Sequence, residues 1–171
     1  SITPLHAAAK HGHVDAVKLL LARGAPVSEL STERYTALHF VCGVSSTPRE
    51  DAISTAKLLL AHGATPLTTA VNDEQPLHAA AHTNAHELVT LLLQHGATLD
   101  VPNTLGETPL HIAAHKSPRC FQAMLQHEEQ ARTLAYKPHS FWRGVLESAT
   151  WGGMRYAMRT LLPSTPTDED A

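Results

Sequence analysis

The segment GETPLHIAAHKSP, residues 106–118, contains a phrase that occurs elsewhere in the chain. Thr-Pro-Leu-His followed by small residues appears again near the N-terminus in ITPLHAAAKHGH, residues 2–13. The corresponding leucines of four copies are Leu5, Leu38, Leu77 and Leu110, which are separated by 33, 39 and 33 residues. A near-constant period of this size predicts a fold of stacked repeats.

The second halves of the copies also correspond. They read VKLLLARGA (17–25), AKLLLAHGA (56–64) and VTLLLQHGA (89–97). The longer step contains the insertion VSSTPREDA (44–52), which we expect to protrude as a loop between two helices. A worn fifth copy is traceable in LESATWGGMRYAMRTLL (146–162). The repeat therefore extends over most of the 171 residues.

Each copy predicts a helix, a turn and a second helix. Thr-Pro is typical of a helix start, since the amide that proline lacks would be unpaired there. The alanines that follow allow close approach of neighbouring helices. The second helix is apolar around most of its circumference, which indicates burial between neighbours. Glycine then follows it at Gly24, Gly63 and Gly96, where a left-handed cap favours this residue.

These motifs resemble the ankyrin repeat family. The resemblance implies an all-α solenoid of about four clear helix-turn-helix units plus a degenerate C-terminal unit, with short β-hairpin or turn fingers between units. The predicted repeats span 1–30, 31–69, 70–102 and 103–134, followed by a degenerate capping repeat (135–162) and a disordered tail (163–171). Glu128-Glu129 replaces the expected glycine of the fourth copy and is interpreted as a solvated helix end.

Thirteen histidines raise the question of metal chemistry. The four that recur at one repeat position are His6, His39, His78 and His111. The resemblance implies that they fix the turn by hydrogen bonds between neighbouring units. Four-apart pairs such as His78/His82 and His111/His115 have zinc-binding spacing, but each pair includes one of these structural residues. The sequence therefore predicts neither a metal site nor a cofactor.

Composition restricts the remaining classes of function. The formal charge of −3 favours neither nucleic acid nor an anionic membrane as partner. No apolar run approaches the length of a membrane span, which is about 20 residues. The isolated cysteines Cys42 and Cys120 suit a reducing compartment, which predicts an intracellular protein, cytoplasmic or nuclear. No catalytic motif is recognisable, so we expect no enzyme.

The resemblance implies binding of a protein partner through a concave face formed by the finger tips and the ends of the first helices, and we expect the chain to be monomeric by itself. The candidate partner-binding residues are Lys10, His11, Glu33, Tyr35, Asn72, Glu74, His82, Leu105, Glu107, His115, Lys116, Phe141, Arg143 and Trp151. Aromatic residues concentrate between Tyr136 and Tyr156. They either anchor a partner or cap the core.

Two alternative functions follow from the same resemblance. Some ankyrin proteins are the substrate-recognition part of a ubiquitin ligase adaptor, with a recruiting box at the C-terminus. Residues 135–162 fit a worn repeat better than such a box. The other alternative is a regulatory ankyrin domain of a larger signalling protein or enzyme. It is consistent with the start of the chain at a helix, which suggests a fragment of a longer protein.

Overall fold

The chain folds into pairs of helices, one pair for each repeat. The computed structural model describes residues 2–43 and 49–134, and in that part there are eight helices and no strand. The first helices of the units are α1 (Pro4–Lys10), α3 (Ala37–Gly43), α5 (Pro76–His82) and α7 (Pro109–Lys116). The second helices are α2 (Val14–Ala22), α4 (Arg49–Ala61), α6 (His86–Gln94) and α8 (Pro118–Leu134). The predicted all-α repeat architecture is confirmed.

The Thr-Pro-Leu-His phrase builds the start of a first helix. In α1 the Thr3 hydroxyl accepts a hydrogen bond from the His6 amide, and the His6 ring nitrogen Nδ1 accepts one from the Thr3 amide. Thr108 and His111 form the same reciprocal pair at α7. Since the first amides of a helix have no partner within the helix, this pair satisfies two polar groups that burial would otherwise leave unpaired.

Helices of like type stack on one another along the chain. Each first helix contacts the next first helix, and each second helix contacts the second helix of a neighbouring unit. Small residues such as Ala80 and Ala113 are fully buried between first helices, which allows close approach of their backbones. Leu59 and Leu92 are fully buried on the second helices. The core is therefore a set of nearest-neighbour interfaces, as expected for a repeat protein.

Second helices end at a glycine wherever the repeat supplies one. Gly96 has φ of 86°, its amide donates to the carbonyl of Leu93, and the Ala97 amide donates to the carbonyl of Leu92. Gly24 and Gly63 adopt the same left-handed cap, which satisfies carbonyls at the helix end.

The fourth unit departs from this pattern because it has no capping glycine. Helix α8 continues to Leu134 and is 17 residues long, against nine for α2 and α6. Glu128 and Glu129 lie inside it. The interpretation of this pair as a helix end is therefore wrong, since without a glycine nothing in the sequence stops the helix there.

Part of the insertion in the second unit is helical. Residues 49–52, predicted to protrude, form the first turn of α4, and Ala52 is buried. Helix α4 is consequently 13 residues long. Residues 44–48 lie outside the described residues, as do the predicted degenerate repeat at 135–162 and the tail at 163–171.

The fingers between units are tight turns. In each finger the amide of one residue donates to the carbonyl of the residue three positions earlier, as Arg34 does to Ser31 and Gly106 does to Asn103. Neighbouring fingers are joined by backbone hydrogen bonds, from Val71 to Glu33 (3.3 Å) and from Thr104 to Asn72 (3.0 Å). The fingers therefore form a hydrogen-bonded row along one edge of the stack.

Hydroxyl groups at the ends of first helices add polar contacts between units. The Thr83 hydroxyl donates to the carbonyl of Cys42 at 2.8 Å, and the Ser117 hydroxyl donates to the carbonyl of Ala81 at 2.7 Å. By contrast, the hydroxyl of Thr55 in α4 is buried and has no hydrogen-bond partner among the described residues. The paired hydroxyls of Thr83 and Ser117 therefore favour the folded stack, whereas burial of the Thr55 hydroxyl opposes it.

Replacing Leu92 by alanine should lower the free energy of unfolding by about 2–5 kcal/mol, because its fully buried side chain would leave a cavity between units. Urea denaturation of the purified protein measures the change. Leu19→Ala is the matched control, since Leu19 is 55% exposed on α2 and should change stability by no more than about 0.5 kcal/mol. Equal effects of the two substitutions would contradict the observed packing.

Thr55→Val should raise the free energy of unfolding by about 1 kcal/mol, because valine has nearly the same shape and removes an unpaired buried hydroxyl. Thr83→Val should lower it by about 1 kcal/mol, because it removes the hydrogen bond to Cys42. Thermal and urea unfolding of both variants check the signs. A stabilising Thr83→Val substitution would show that the inter-unit bond contributes nothing.

Candidate functional site

The first helices and the fingers border a groove of about 360 Å³ in the first three units. Four of the candidate partner-binding residues from the sequence line it: Lys10, Tyr35, Glu74 and His82. The structure adds His39, Phe40, Gly43, Ala79 and Thr83 to the lining. Residues far apart in the sequence therefore meet at one surface, because each unit places the same repeat positions there.

His39 joins α3 to the next finger. Its Nδ1 accepts from the Thr36 amide at 3.1 Å, which leaves the ring proton on Nε2, and Nε2 donates to the carbonyl of Glu74 at 3.0 Å. Burial lowers the pKa of His39 from 6.5 to about 4, although the Glu74 carbonyl and carboxylate act in the opposite direction. The ring is therefore neutral at physiological pH, and its two hydrogen bonds hold the finger that carries Glu74.

The other histidines at this repeat position make related contacts. His6 Nε2 donates to the carbonyl of Glu29 at 3.0 Å. His78 accepts from the Gln75 amide through Nδ1 at 3.1 Å, and burial lowers its pKa. Its buried Nε2 makes no hydrogen bond of good geometry among the described residues, although the carbonyls of Val101 and Glu107 raise the pKa in opposition to burial. Of these two rings, His6 therefore joins its helix to the following finger segment.

Aromatic rings form part of the groove. The Tyr35 ring contacts His39 and Phe40 in edge-to-face geometry, with centroids 5.5 and 5.9 Å apart. The pKa of the Tyr35 phenol is raised, first by burial and then by the carboxylates of Glu74 and Glu33. The phenol therefore lies in a negative potential.

Glu74, His82 and Lys116 follow one another across two units. The Lys116 ammonium donates to His82 Nδ1 at 3.0 Å, and an ammonium group can only donate. The neutral His82 ring then carries its proton on Nε2, which lies 3.6 Å from the Glu74 carboxylate. The Glu74 side chain is only 19% exposed. The groove thus contains a largely buried carboxylate beside a neutral histidine.

Comparison with known proteins agrees with this architecture. A family model described as ankyrin repeats in three copies matches residues 48–134, and an ankyrin repeat model matches residues 2–31. The chain belongs to the ankyrin repeat family. Ankyrin repeats are generally protein–protein interaction modules and are typically non-catalytic. Protein partners are therefore the expected ligands of this ankyrin stack.

One curated relative combines ankyrin repeats with other domains. The chain is 39% identical over 87 residues to an "Ankyrin repeat, SAM and basic leucine zipper domain-containing protein 1" from Ornithorhynchus anatinus. The similar region covers 51% of this chain and 18% of the relative. The similarity is therefore confined to a small part of the relative.

The other candidate residues of the ankyrin surface lie outside the groove lining. Leu105 is 80% exposed at its finger tip. His11 caps α1, and His115 and Lys116 lie in the last turn of α7. The candidates in the finger turns are Glu33, Asn72 and Glu107, whose carbonyls accept from Val71, Thr104 and Asn103. Phe141, Arg143 and Trp151 fall outside the described residues.

Five lining residues were not among the candidate partner-binding residues, and Phe40 and Thr83 are the two with large or polar side chains outside the repeat motif. Phe40 directly follows the repeat histidine, and Thr83 caps α5 while donating to Cys42 in the unit before. A comparison between copies contains a signal for Phe40, since His6 and His78 are followed by alanine. The hydrogen bond of Thr83 leaves no local pattern in the sequence, because stacking brings the two residues together.

Other chemistry is limited in the described ankyrin units. Cys42 and Cys120 are buried thiols, and burial raises the pKa of Cys42 to about 12. Within residues 2–43 and 49–134, no group of three histidine, cysteine or acidic side chains is placed where it could share a metal ion. Across the same residues no helix is long and apolar enough to cross a membrane.

The free energy of unfolding should fall as the pH is lowered from about 6.5 to about 4. The unfolded chain protonates His39 over this range, whereas the folded chain, with its pKa near 4, resists protonation. The full contribution, present above pH 6.5, is of the order of 3 kcal/mol. His78 has the same sign.

Urea unfolding at a series of pH values measures this dependence, and His39→Gln isolates the contribution of one ring. The variant should be less stable at neutral pH but should show a shallower fall between pH 6.5 and 4. Tyr35, Glu74 and His78 are the other titratable groups that face the ring, and they remain in the variant. Equal slopes for both proteins would contradict the assignment of a buried neutral imidazole.

Proposed function

We propose that this ankyrin stack binds a protein partner through the groove and its adjoining exposed row, which we call the concave surface and define by Lys10, Tyr35, Glu74, His82 and Lys116. The observation that carries the proposal is the convergence of Lys10, Tyr35, Glu74 and His82, from three successive units, on one groove. Lys116 extends the surface into the fourth unit through its contact with His82.

The chemistry of the concave surface supports this role. It offers aromatic rings, a carboxylate and two exposed lysines on rigid helices and hydrogen-bonded turns. Aromatic side chains with polar neighbours are typical of the residues that dominate binding energy in protein interfaces. Since the scaffold fixes their positions, a partner would bind without first ordering this surface, which reduces the entropic cost of association.

A double variant, Tyr35→Ala with His82→Ala, tests the proposal, because both residues line the groove. Proteins captured from a cell extract by the wild-type chain should be lost with this variant, or should bind it at least about tenfold more weakly, since truncation of an anchoring aromatic residue costs a large part of the binding energy. Quantitative mass spectrometry of the captured material, followed by titration of the recovered partner, measures the effect.

The matched control is Leu19→Ala with His95→Ala, which removes a large exposed side chain from α2 and a histidine from the end of α6. It should retain the partner. Both variants are first checked for unchanged unfolding midpoints. Loss of the partner with the control and retention with the first variant would move the interface to the second helices.

A second candidate is a regulatory ankyrin domain of a larger signalling protein or enzyme. The curated relative from Ornithorhynchus anatinus favours it, since its name joins ankyrin repeats to SAM and basic leucine zipper domains. The role of ubiquitin ligase adaptor stays a prediction, because it depends on residues 135–162, which lie outside the described residues.

A further inference from the structure

We infer that the groove holds a cationic side chain, lysine or arginine, of the partner, with the Glu74 carboxylate as its counter-ion and Tyr35 and Phe40 as its aromatic wall. This inference rests on the proposed function and specifies which group of the partner enters the groove.

The first step concerns the charge on Glu74. Its carboxylate is largely buried, and the nearest described group able to carry positive charge is His82, 3.6 Å away. That distance exceeds the length of a hydrogen bond. His82 already accepts a hydrogen bond from Lys116 through Nδ1, which in this arrangement leaves the single ring proton on Nε2. Glu74 therefore has no close cation among the groups described around it.

The second step concerns the remaining wall of the groove. Tyr35 and Phe40 line it, together with the small side chain of Ala79 and with Gly43. An aromatic ring attracts a cation through its quadrupole, and the attraction is larger where water is excluded. The alkyl portion of lysine or arginine also suits an apolar wall. Both parts of such a side chain thus have a complementary surface in the groove.

The third step concerns Lys10, whose positive charge acts on a charged ligand in the opposite sense to the carboxylate of Glu74. It is exposed and lines the same groove, yet no ion pair joins it to Glu74. An incoming cation would be repelled by Lys10 and attracted by Glu74, whereas an incoming anion would show the reverse preference. The two residues therefore provide substitutions of opposite expected sign.

A library of random dodecapeptides displayed on phage, selected against the purified chain, supplies the probe. Peptides that bind should contain a lysine or arginine whose replacement by a neutral isostere, citrulline for arginine, weakens binding about tenfold. Glu74→Gln should weaken the same peptide by a similar factor and make it insensitive to citrulline. Lys10→Gln should strengthen binding two- to threefold, as measured by fluorescence polarisation at low ionic strength.

Glu50→Gln is the matched control, because Glu50 is an exposed glutamate in the first turn of α4, and it should leave peptide affinity unchanged. NMR shifts of the amides of Tyr35, Ala79 and Thr83 on peptide addition locate the contact. Shifts confined to the second helices would overturn the concave interface itself, as would a library that yields no binding peptide.

Other outcomes would overturn only the cation site. Peptides that contact the groove but depend on an acidic or purely apolar side chain would exclude it while leaving the concave interface in place. The same conclusion follows if Glu74→Gln has no effect, or if Lys10→Gln weakens binding. The failure of the specific inference is thus distinguishable from the failure of the proposed function.

Discussion

A neutral imidazole that bridges a helix start and a finger is the interaction on which this structure depends. His39 can accept from the Thr36 amide and also donate to the Glu74 carbonyl only as the tautomer with its proton on Nε2. Burial favours the neutral form, because a charged ring would lose its hydration. The same burial that stabilises the stack therefore fixes the protonation state that orients the finger.

The parts of the fold that could be predicted from sequence are those encoded within a few residues. Thr3 and His6 form a capping pair three residues apart in the chain, and Gly96 is needed for a local left-handed cap. The extra turn of α4 was missed because the length of an insertion does not say whether it extends a helix. Extension of α8 through Glu128 follows from the missing glycine.

The sequence was sufficient to predict where the residues of the candidate site lie, but not which contacts their side chains make. The repeat register was sufficient to place Lys10, Tyr35, Glu74 and His82 on one surface, since a repeat position has the same orientation in every unit. The contact between Lys116 and His82, and the burial of the Glu74 carboxylate, depend on side-chain conformations across units. No spacing rule encodes these, because stacking rather than chain proximity brings the groups together.

At Glu74 the backbone and the side chain have separate surroundings. Its carbonyl accepts from His39 and its backbone helps to form the finger, and these contacts are independent of the side chain. Its carboxylate lines the groove. Glu33 likewise joins neighbouring fingers through its carbonyl, whereas Asn72 contributes its carbonyl and also its side-chain oxygen, which accepts from the Glu74 amide at 3.4 Å. The side chains of Glu33 and Glu74 can therefore vary without removing the hydrogen bonds that hold the fingers, because at these two positions the backbone makes the structural contacts.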